Sequence, residues 1–299
     1  MRHLLKSAAA KGFLLTALLL FAASICRAQS AAPETPDYIL RSGGMERTYK
    51  LHLPAGLPEN APLVVVLHGY GGNNNPDRFA MNATADRHGF AVCYPQGAKD
   101  GRGKSCWNVG YPFQADMTVD DVRFLTELVR HLQKKHGLSR HNVFCTGMSN
   151  GGEMCYQLAA QRPEVFAAVA PVSGLMLDWL YKADRSTAPV PLFEIHGTED
   201  KTSAWLGDPQ NKGGWGAYLP VPLAVHYWAA KNRCTVMQTD TLPAKAPGSR
   251  TVIAQPGLRY AQADALIRSL LLDETFSALS LAERNAVQER VLNEIKGRM

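Results

Sequence analysis

Apolar positions along this chain repeat with two different periods that take turns. Pro62-Leu63-Val64-Val65-Val66-Leu67 is continuously apolar and β-branched, the mark of a strand buried on both faces of a parallel sheet. Within Val119 to His136, Val122, Leu125, Leu128, Val129 and Leu132 recur every three or four residues, which predicts a helix with one face on a sheet and Gly137 as its stop. Two short alternating runs, Tyr38-Ile39-Leu40 and Arg47 to Leu53, flank Gly43-Gly44 and predict a hairpin. A helix is expected near Asp77 to His88. Strands are expected at Phe90 to Tyr94, Asn142 to Thr146, Phe166 to Val172 and Val190 to Ile195, with helices after Gly151 and over Pro220 to Asn232. Strands alternating with helices over this length imply a mostly parallel sheet covered on both faces, whose ligands bind at the carboxyl ends of the strands.

Composition narrows the class. At 299 residues, 46% hydrophobic and 19% charged, the chain suits one globular α/β domain with a sizeable core and excludes a disordered or fibrous protein. Residues 1–28 read as a secretory signal: Arg2, Lys6 and Lys11 give a basic start, Gly12 to Ile25 an apolar stretch, and Cys26-Arg27-Ala28 a cleavage region. That apolar stretch is about 14 residues, short of the ~20 that a spanning helix needs, so no transmembrane anchor is expected in the mature chain. Lipid on Cys26 is the rival, against which stands the bulky Ile25 before it. Residues 29–36 are an Ala, Pro and Thr-rich linker, 37–254 the domain, and 255–299 a tail that is helical in pattern, with Ser280 and Glu283 as a capping box. Removing Arg2, Lys6, Lys11 and Arg27 lowers the formal charge from +6 to about +2, and no basic block interleaved with aromatics follows, so nucleic acid is not an expected partner.

The chemistry gathers around Gly147-Met148-Ser149-Asn150-Gly151, between an apolar strand and a helix. A serine with glycines two positions away on each side fits a nucleophile elbow, a sharp strand-to-helix turn that holds Oγ clear of the backbone. A serine hydroxyl needs a base, and the base needs a carboxylate to orient it. The acid expected is Asp200, in Ile195-His196-Gly197-Thr198-Glu199-Asp200 past a predicted strand, with Glu199 as its neighbour and rival. Oxyanion donors are expected from the amide of Asn150 and from an amide of the His68-Gly69-Tyr70-Gly71 loop, that of Tyr70, each worth about 3 kcal/mol in a transition state. Trp205 and Trp215, in the long loop from Lys201 to Leu219, are either a substrate wall or packed surface aromatics. Of the cysteines left after cleavage, Cys93, Cys145 and Cys155 sit in apolar patterns, whereas Cys106 and Cys234 lie in polar contexts and are expected to pair as a disulfide.

With these motifs in view the chain resembles the secreted α/β-hydrolases related to feruloyl esterases and polyhydroxybutyrate depolymerases. The likeness runs from about Asp37 to Cys234. It is carried by Leu67-His68-Gly69-Tyr70-Gly71-Gly72, Tyr94-Pro95-Gln96-Gly97, Cys106-Trp107-Asn108, Val119-Asp120-Asp121-Val122, the elbow with Gly152, Ala170-Pro171-Val172-Ser173-Gly174 and His196-Gly197-Thr198-Glu199-Asp200. The resemblance implies an α/β-hydrolase fold and a secreted or periplasmic carboxylic ester hydrolase acting through an acyl-enzyme. It assigns Ser149 as nucleophile and Asp200 as acid and implies no cofactor and no metal. The implied substrates are feruloyl or acetyl esters of cell-wall polysaccharide, or a polyester. The family's Gly-Gly-Gly-His segment, which supplies the general base, is missing. His226 is the only histidine after Asp200, and His68, His88, His131, His136, His141 and His196 all stand in contexts that suit structural roles better, so the base is unassigned. Two other readings follow: a hydrolase scaffold that has lost turnover through divergence or a shifted frame and serves as a binding protein, and a serine peptidase.

Overall fold

The computed structural model describes residues 36–234, 236–242 and 251–257. The expected signal at 1–28, most of the linker and most of the tail at 255–299 lie outside these residues. The hairpin forms as expected, β1 at Asp37–Ser42 pairing antiparallel with β2 at Met45–His52 across Gly43 and Gly44, both at positive φ. β3, Leu63–Leu67, is the apolar run. The single helix expected over Asp77 to His88 is instead a 3-10 turn at Pro76–Arg78 and a short helix α1 at Asn82–His88. Asn75 caps the turn and Ala80, at φ 50°, breaks the path between them.

β4 is Ala91–Pro95. The long loop after it carries a minimal hairpin, β5 at Ala98–Lys99 against β6 at Ser105–Cys106, and a second 3-10 turn at Pro112–Gln114. Helix α2, Asp121–His136, begins where the Asp120 side chain accepts the amide of Arg123 and ends where Gly137 takes a left-handed conformation at φ 64°. β7, Val143–Met148, runs into helix α3, Asn150–Gln161, and β8 is Ala168–Val172. A short helix α4, Asp178–Ala183, and helix α5, Val221–Lys231, follow. β9, Val236–Leu242, pairs antiparallel with β10, Thr251–Gly257. β10 therefore continues through Gln255 to Gly257, three residues past the expected end of the domain.

The central sheet has the order β1-β2-β4-β3-β7-β8. β4, β3, β7 and β8 are parallel neighbours, and β2 joins β4 antiparallel. The expected strand at Val190 to Ile195 is an extended edge segment and not a regular strand. It runs parallel to β8 through bridges at Val169–Leu192 and Val172–Ile195, and Pro191, lacking an N–H, has no donor for a ladder. Phe193 and Ile195 on this edge are exposed. The arrangement is an α/β-hydrolase sheet: mostly parallel, with helices packed against it and the strand ends of β3, β7 and the edge segment opening on one side.

A buried ion pair fixes the loop side of the site. Arg47 of β2 meets Asp121 at 2.6 Å, with the guanidinium also over the Phe124 ring, and the other oxygen of Asp121 accepts the amide of Asn108 at 2.7 Å. The first residue of α2 thus anchors the Cys106-Trp107-Asn108 stretch.

Candidate active site

Ser149 sits between β7 and α3 at φ 53°, ψ −123°, a region that side-chain-bearing residues rarely occupy. The turn is possible because its neighbours lack side chains. A Cβ at Gly147 would lie 2.6 Å from the Gly151 carbonyl, and one at Gly151 would lie 2.5 Å from the carbonyl oxygen of Leu67. Behind the turn Gly152 and Gly174 meet backbone to backbone, with a Cβ on Gly152 falling 2.9 Å from the Gly174 Cα. The amide of Ser149 is held by the Val172 carbonyl at 2.8 Å, and its hydroxyl is half-exposed and makes no side-chain hydrogen bond among the described residues.

The loop after β3 lies directly against the serine, since a Cβ at Gly69 would be 3.5 Å from the Ser149 Cβ. Within it the amide of Tyr70 donates to no acceptor among the described residues, and neither does that of Asn150 at the first position of α3. The loop is braced by His68. Its Nδ1 faces the Gly69 carbonyl at 2.8 Å, while Nε2 accepts the Gly97 amide at 2.9 Å and faces the Gln96 amide nitrogen at 3.1 Å. These partners fix the Nδ1-protonated neutral imidazole, and burial lowers its pKa, so His68 is structural. Gly71 completes the brace by donating to the Ser105 carbonyl at 2.7 Å.

The side chain of Asn150 explains why Trp107 belongs to the motif. Its Oδ1 accepts the Trp107 amide at 2.7 Å and its Nδ2 donates to the Trp107 carbonyl, while the Trp107 indole donates to the His68 carbonyl at 2.8 Å. One buried tryptophan therefore ties the residue after the serine to the loop opposite it. Beneath them Glu153, one turn into α3, accepts the hydroxyl of Tyr111. Complete burial raises its carboxyl to about 8, so it is protonated at neutral pH. Periodicity gave no sign of this contact, because Tyr111 lies in an irregular loop 42 residues away.

Aromatic rings line the same side. Trp215 packs edge-on against Tyr70, Tyr111 and Phe113 at centroid distances of 5.3, 5.4 and 5.7 Å, and Arg102 lies over the Phe113 ring. Tyr70 is itself fixed by donating to Asp100 at 2.6 Å, and burial together with that bond pushes its phenol up to about 12. Trp215 is thus packed into an aromatic cluster beside the Tyr70 loop. Trp205 instead stands 6.1 Å from the ring of His196.

Asp200 lies past the edge segment, two strand positions from β7. Its Oδ1 accepts the amides of Thr202 and Ser203, both at 2.8 Å, and it is half-buried where Glu199 is exposed. No histidine bonds Ser149 or Asp200 among the described residues. His196 is engaged by Glu194 and by the Ser203 carbonyl. His226 is buried on α5 with its pKa lowered to about 4 by that burial. His88 and His141 are exposed, and His131 and His136 lie half-buried along α2. The expected Cys106–Cys234 disulfide is not formed: both thiols are free. Cys106 is buried between the Gln114 amide and the sulfur of Met117, whereas Cys234 follows α5 beside the Asn232 carbonyl, so each sulfur has its own neighbours. Among the described residues no group of three or more His, Cys, Asp or Glu side chains is placed to hold a metal ion.

Residues 47–187 match the family model described as esterase PHB depolymerase. The chain is 33% identical over 239 residues to a protein of Nocardia uniformis subsp. tsuyamanensis named "Putative esterase NocK", covering 72% of this chain and 67% of that one. It is 29% identical to poly(3-hydroxyalkanoate) depolymerase C of Paucimonas lemoignei, covering 78% of this chain and 56% of the relative. To feruloyl esterase B of Thermothelomyces thermophilus it is 29% identical, covering 53% and 54%. The chain thus spans little more than half the length of the latter two relatives.

Proposed function

This chain belongs to the esterase PHB depolymerase family, a family of carboxylic ester hydrolases, and from that premise we propose that it is an exported serine esterase that forms an acyl-enzyme on Ser149. The observation that carries the reading is the backbone of Ser149, held at φ 53°, ψ −123° at a strand-to-helix turn, a strained conformation of the kind that clusters at functional sites. In this mechanism Oγ attacks the ester carbonyl carbon and the oxygen gains negative charge. The amides of Tyr70 and Asn150 donate to that oxygen; the carbonyl re-forms as the alcohol leaves with the proton the serine gave up, and water then hydrolyses the acyl-enzyme to free the acid and Ser149. Asp200 orients the base that takes the serine proton. Its position past the edge segment, on the same side of the sheet as the elbow, supports that role. The Tyr70, Phe113 and Trp215 wall supports an acyl or alcohol group with a flat apolar face, such as a hydroxycinnamoyl ester of cell-wall polysaccharide, with acetyl esters and polyesters as further substrates. Export is supported by the basic and apolar start of the sequence, and no helix among the described residues is long and apolar enough to cross a membrane.

A second reading, a hydrolase scaffold without efficient turnover, is favoured by one observation: both nitrogens of His196 are already engaged and His226 is buried in α5. One pair of measurements separates the two. Members of a catalytic unit are non-additive, so removing a serine whose base works costs on the order of 10⁶ in kcat, whereas removing it where the base is already missing costs little more. Hydrolysis of p-nitrophenyl acetate and methyl ferulate is therefore compared between the protein and Ser149→Ala, alongside mass measurement after a fluorophosphonate. The esterase reading expects a fall of at least ~10⁴ and a single adduct on Ser149. Equal slow rates with no adduct on Ser149 select the impaired scaffold, and fast turnover that survives Ser149→Ala removes Ser149 from the chemistry.

A further inference from the structure

Glu194 and His196 lie on the edge segment leading to Asp200, with their side chains only 4% and 1% exposed. The nitrogens of the imidazole face two oxygens, Glu194 Oε1 at 2.9 Å from Nδ1 and the Ser203 carbonyl at 2.7 Å from Nε2. A carbonyl only accepts, so Nε2 must carry a proton. The second Glu194 oxygen accepts the hydroxyl of Tyr156 at 2.8 Å, and Tyr156 is on α3, the helix that starts directly after Ser149. Beyond the imidazole, Ser203 returns its own amide to Asp200 Oδ1 at 2.8 Å. The bonds form one path: nucleophile helix, Tyr156, Glu194, His196, Ser203, Asp200.

We propose that His196 is a positioning residue, clamping the Asp200 turn through the Ser203 carbonyl and tying it through Glu194 to the helix that follows Ser149. That Asp200 acts in ester cleavage rests on the function proposed above, but the clamp itself does not. A buried ring nitrogen left unmatched costs ~1–3 kcal/mol, so both bonds are held in the folded chain and not made and broken at will. The groups facing the pair are the Tyr156 hydroxyl and Cys155 thiol of α3 and the Asp200 carboxylate. Burial alone would lower the imidazole pKa, yet the bonds to Glu194 and Ser203 raise it, and burial raises that of Glu194. Both shifts favour a proton held between Nδ1 and Oε1.

Glutamine places its amide nitrogen near the reach of Nε2, and asparagine near that of Nδ1, so the two variants separate the bonds. Amide hydrogen exchange is measured in residues 198–204 of the full chain, with Tm recorded beside it. Expected is exchange at Thr202 and Ser203 at least ~10-fold faster in His196→Asn and within ~3-fold of the original in His196→Gln. Unchanged protection in both variants, or equal loss in both, overturns the clamp. Should His196→Asn not fold, the ¹⁵N imidazole spectrum of the unsubstituted protein decides: a protonated Nε2 on His196 is expected, and a ring protonated only on Nδ1 overturns the proposal. Neither readout uses ester turnover, so an inactive but clamped protein counts against the esterase reading alone.

Discussion

At the scale of single residues, Ser149 holds the clearest conflict between local preference and position. A residue with a Cβ at φ 53°, ψ −123° costs on the order of 1–3 kcal/mol, and only glycine is free of most of that cost. Ser149→Ala keeps the Cβ and so keeps the strain, whereas Ser149→Gly releases it. We expect the glycine variant to be more stable than the alanine variant by about 1 kcal/mol in urea unfolding, although both lose the hydroxyl; a glycine variant less stable than alanine would mean that the turn is unstrained. Asn150 illustrates the opposite economy. Its backbone amide, at the first position of α3, has no intrahelical acceptor, while its side chain is bonded to the backbone of Trp107.

Among the elements, the contact that matters is the crossing of β3 and β7 with the start of α3. The helix starts so close to the sheet that a Cβ on Gly151 would be 2.5 Å from the Leu67 carbonyl oxygen and 2.7 Å from that of His68. Backbone atoms cannot rotate away as a flexible side chain can. Gly151→Ala is therefore expected to cost about 3 kcal/mol or more and to displace the Tyr70 loop, seen as a lowered urea midpoint together with lost fluorophosphonate labelling. A neutral result would mean that α3 can slide off the sheet. On the other flank the Arg47–Asp121 pair fixes β2 to α2 and, through Asn108, holds the Trp107 stretch that braces Asn150. The site is thus supported from two flanks, both at the carboxyl ends of the sheet's middle strands.

For the whole molecule, two buried groups shape stability against pH with opposite signs. Glu153 holds its proton in the folded chain to about 8 but releases it near 4.5 when exposed, so between those values the unfolded state binds fewer protons and stability falls as pH rises. His226 stays neutral in the folded chain down to about 4 but takes a proton near 6.5 when exposed, so between those values stability falls as pH drops. Each slope reaches at most about 1.4 kcal/mol per pH unit. They offset one another between about 4.5 and 6.5; above 6.5 Glu153 removes about 2 kcal/mol by pH 8, and the raised Glu194 and His196 act in the same direction. The urea midpoint should hold steady from pH 5 to 6.5 and then decline. Glu153→Gln should lessen that decline by about 2 kcal/mol at pH 8; if the variant declines equally, Glu153 is not its source. Much of the frame behind these numbers was legible beforehand. The hairpin, the apolar β3, the period of α2 and the strand–serine–helix order are local patterns, and a backbone of known period fixes which side chains face inward. The meeting of Trp107 with Asn150, Tyr111 with Glu153, Trp215 with Tyr70 and Tyr156 with Glu194 was not legible, nor was the separation of Cys106 from Cys234. Those residues lie in irregular loops or on different layers, have no shared period, and are brought together only by the order of strands in the sheet. The sequence by itself therefore determined the elbow and the alternation of strand and helix, because both follow from short-range sterics and burial. Which loop braces the serine, and which histidine is already spent holding Asp200, was decided only in the tertiary structure, because long-range contacts are set by topology and not by neighbours in the chain.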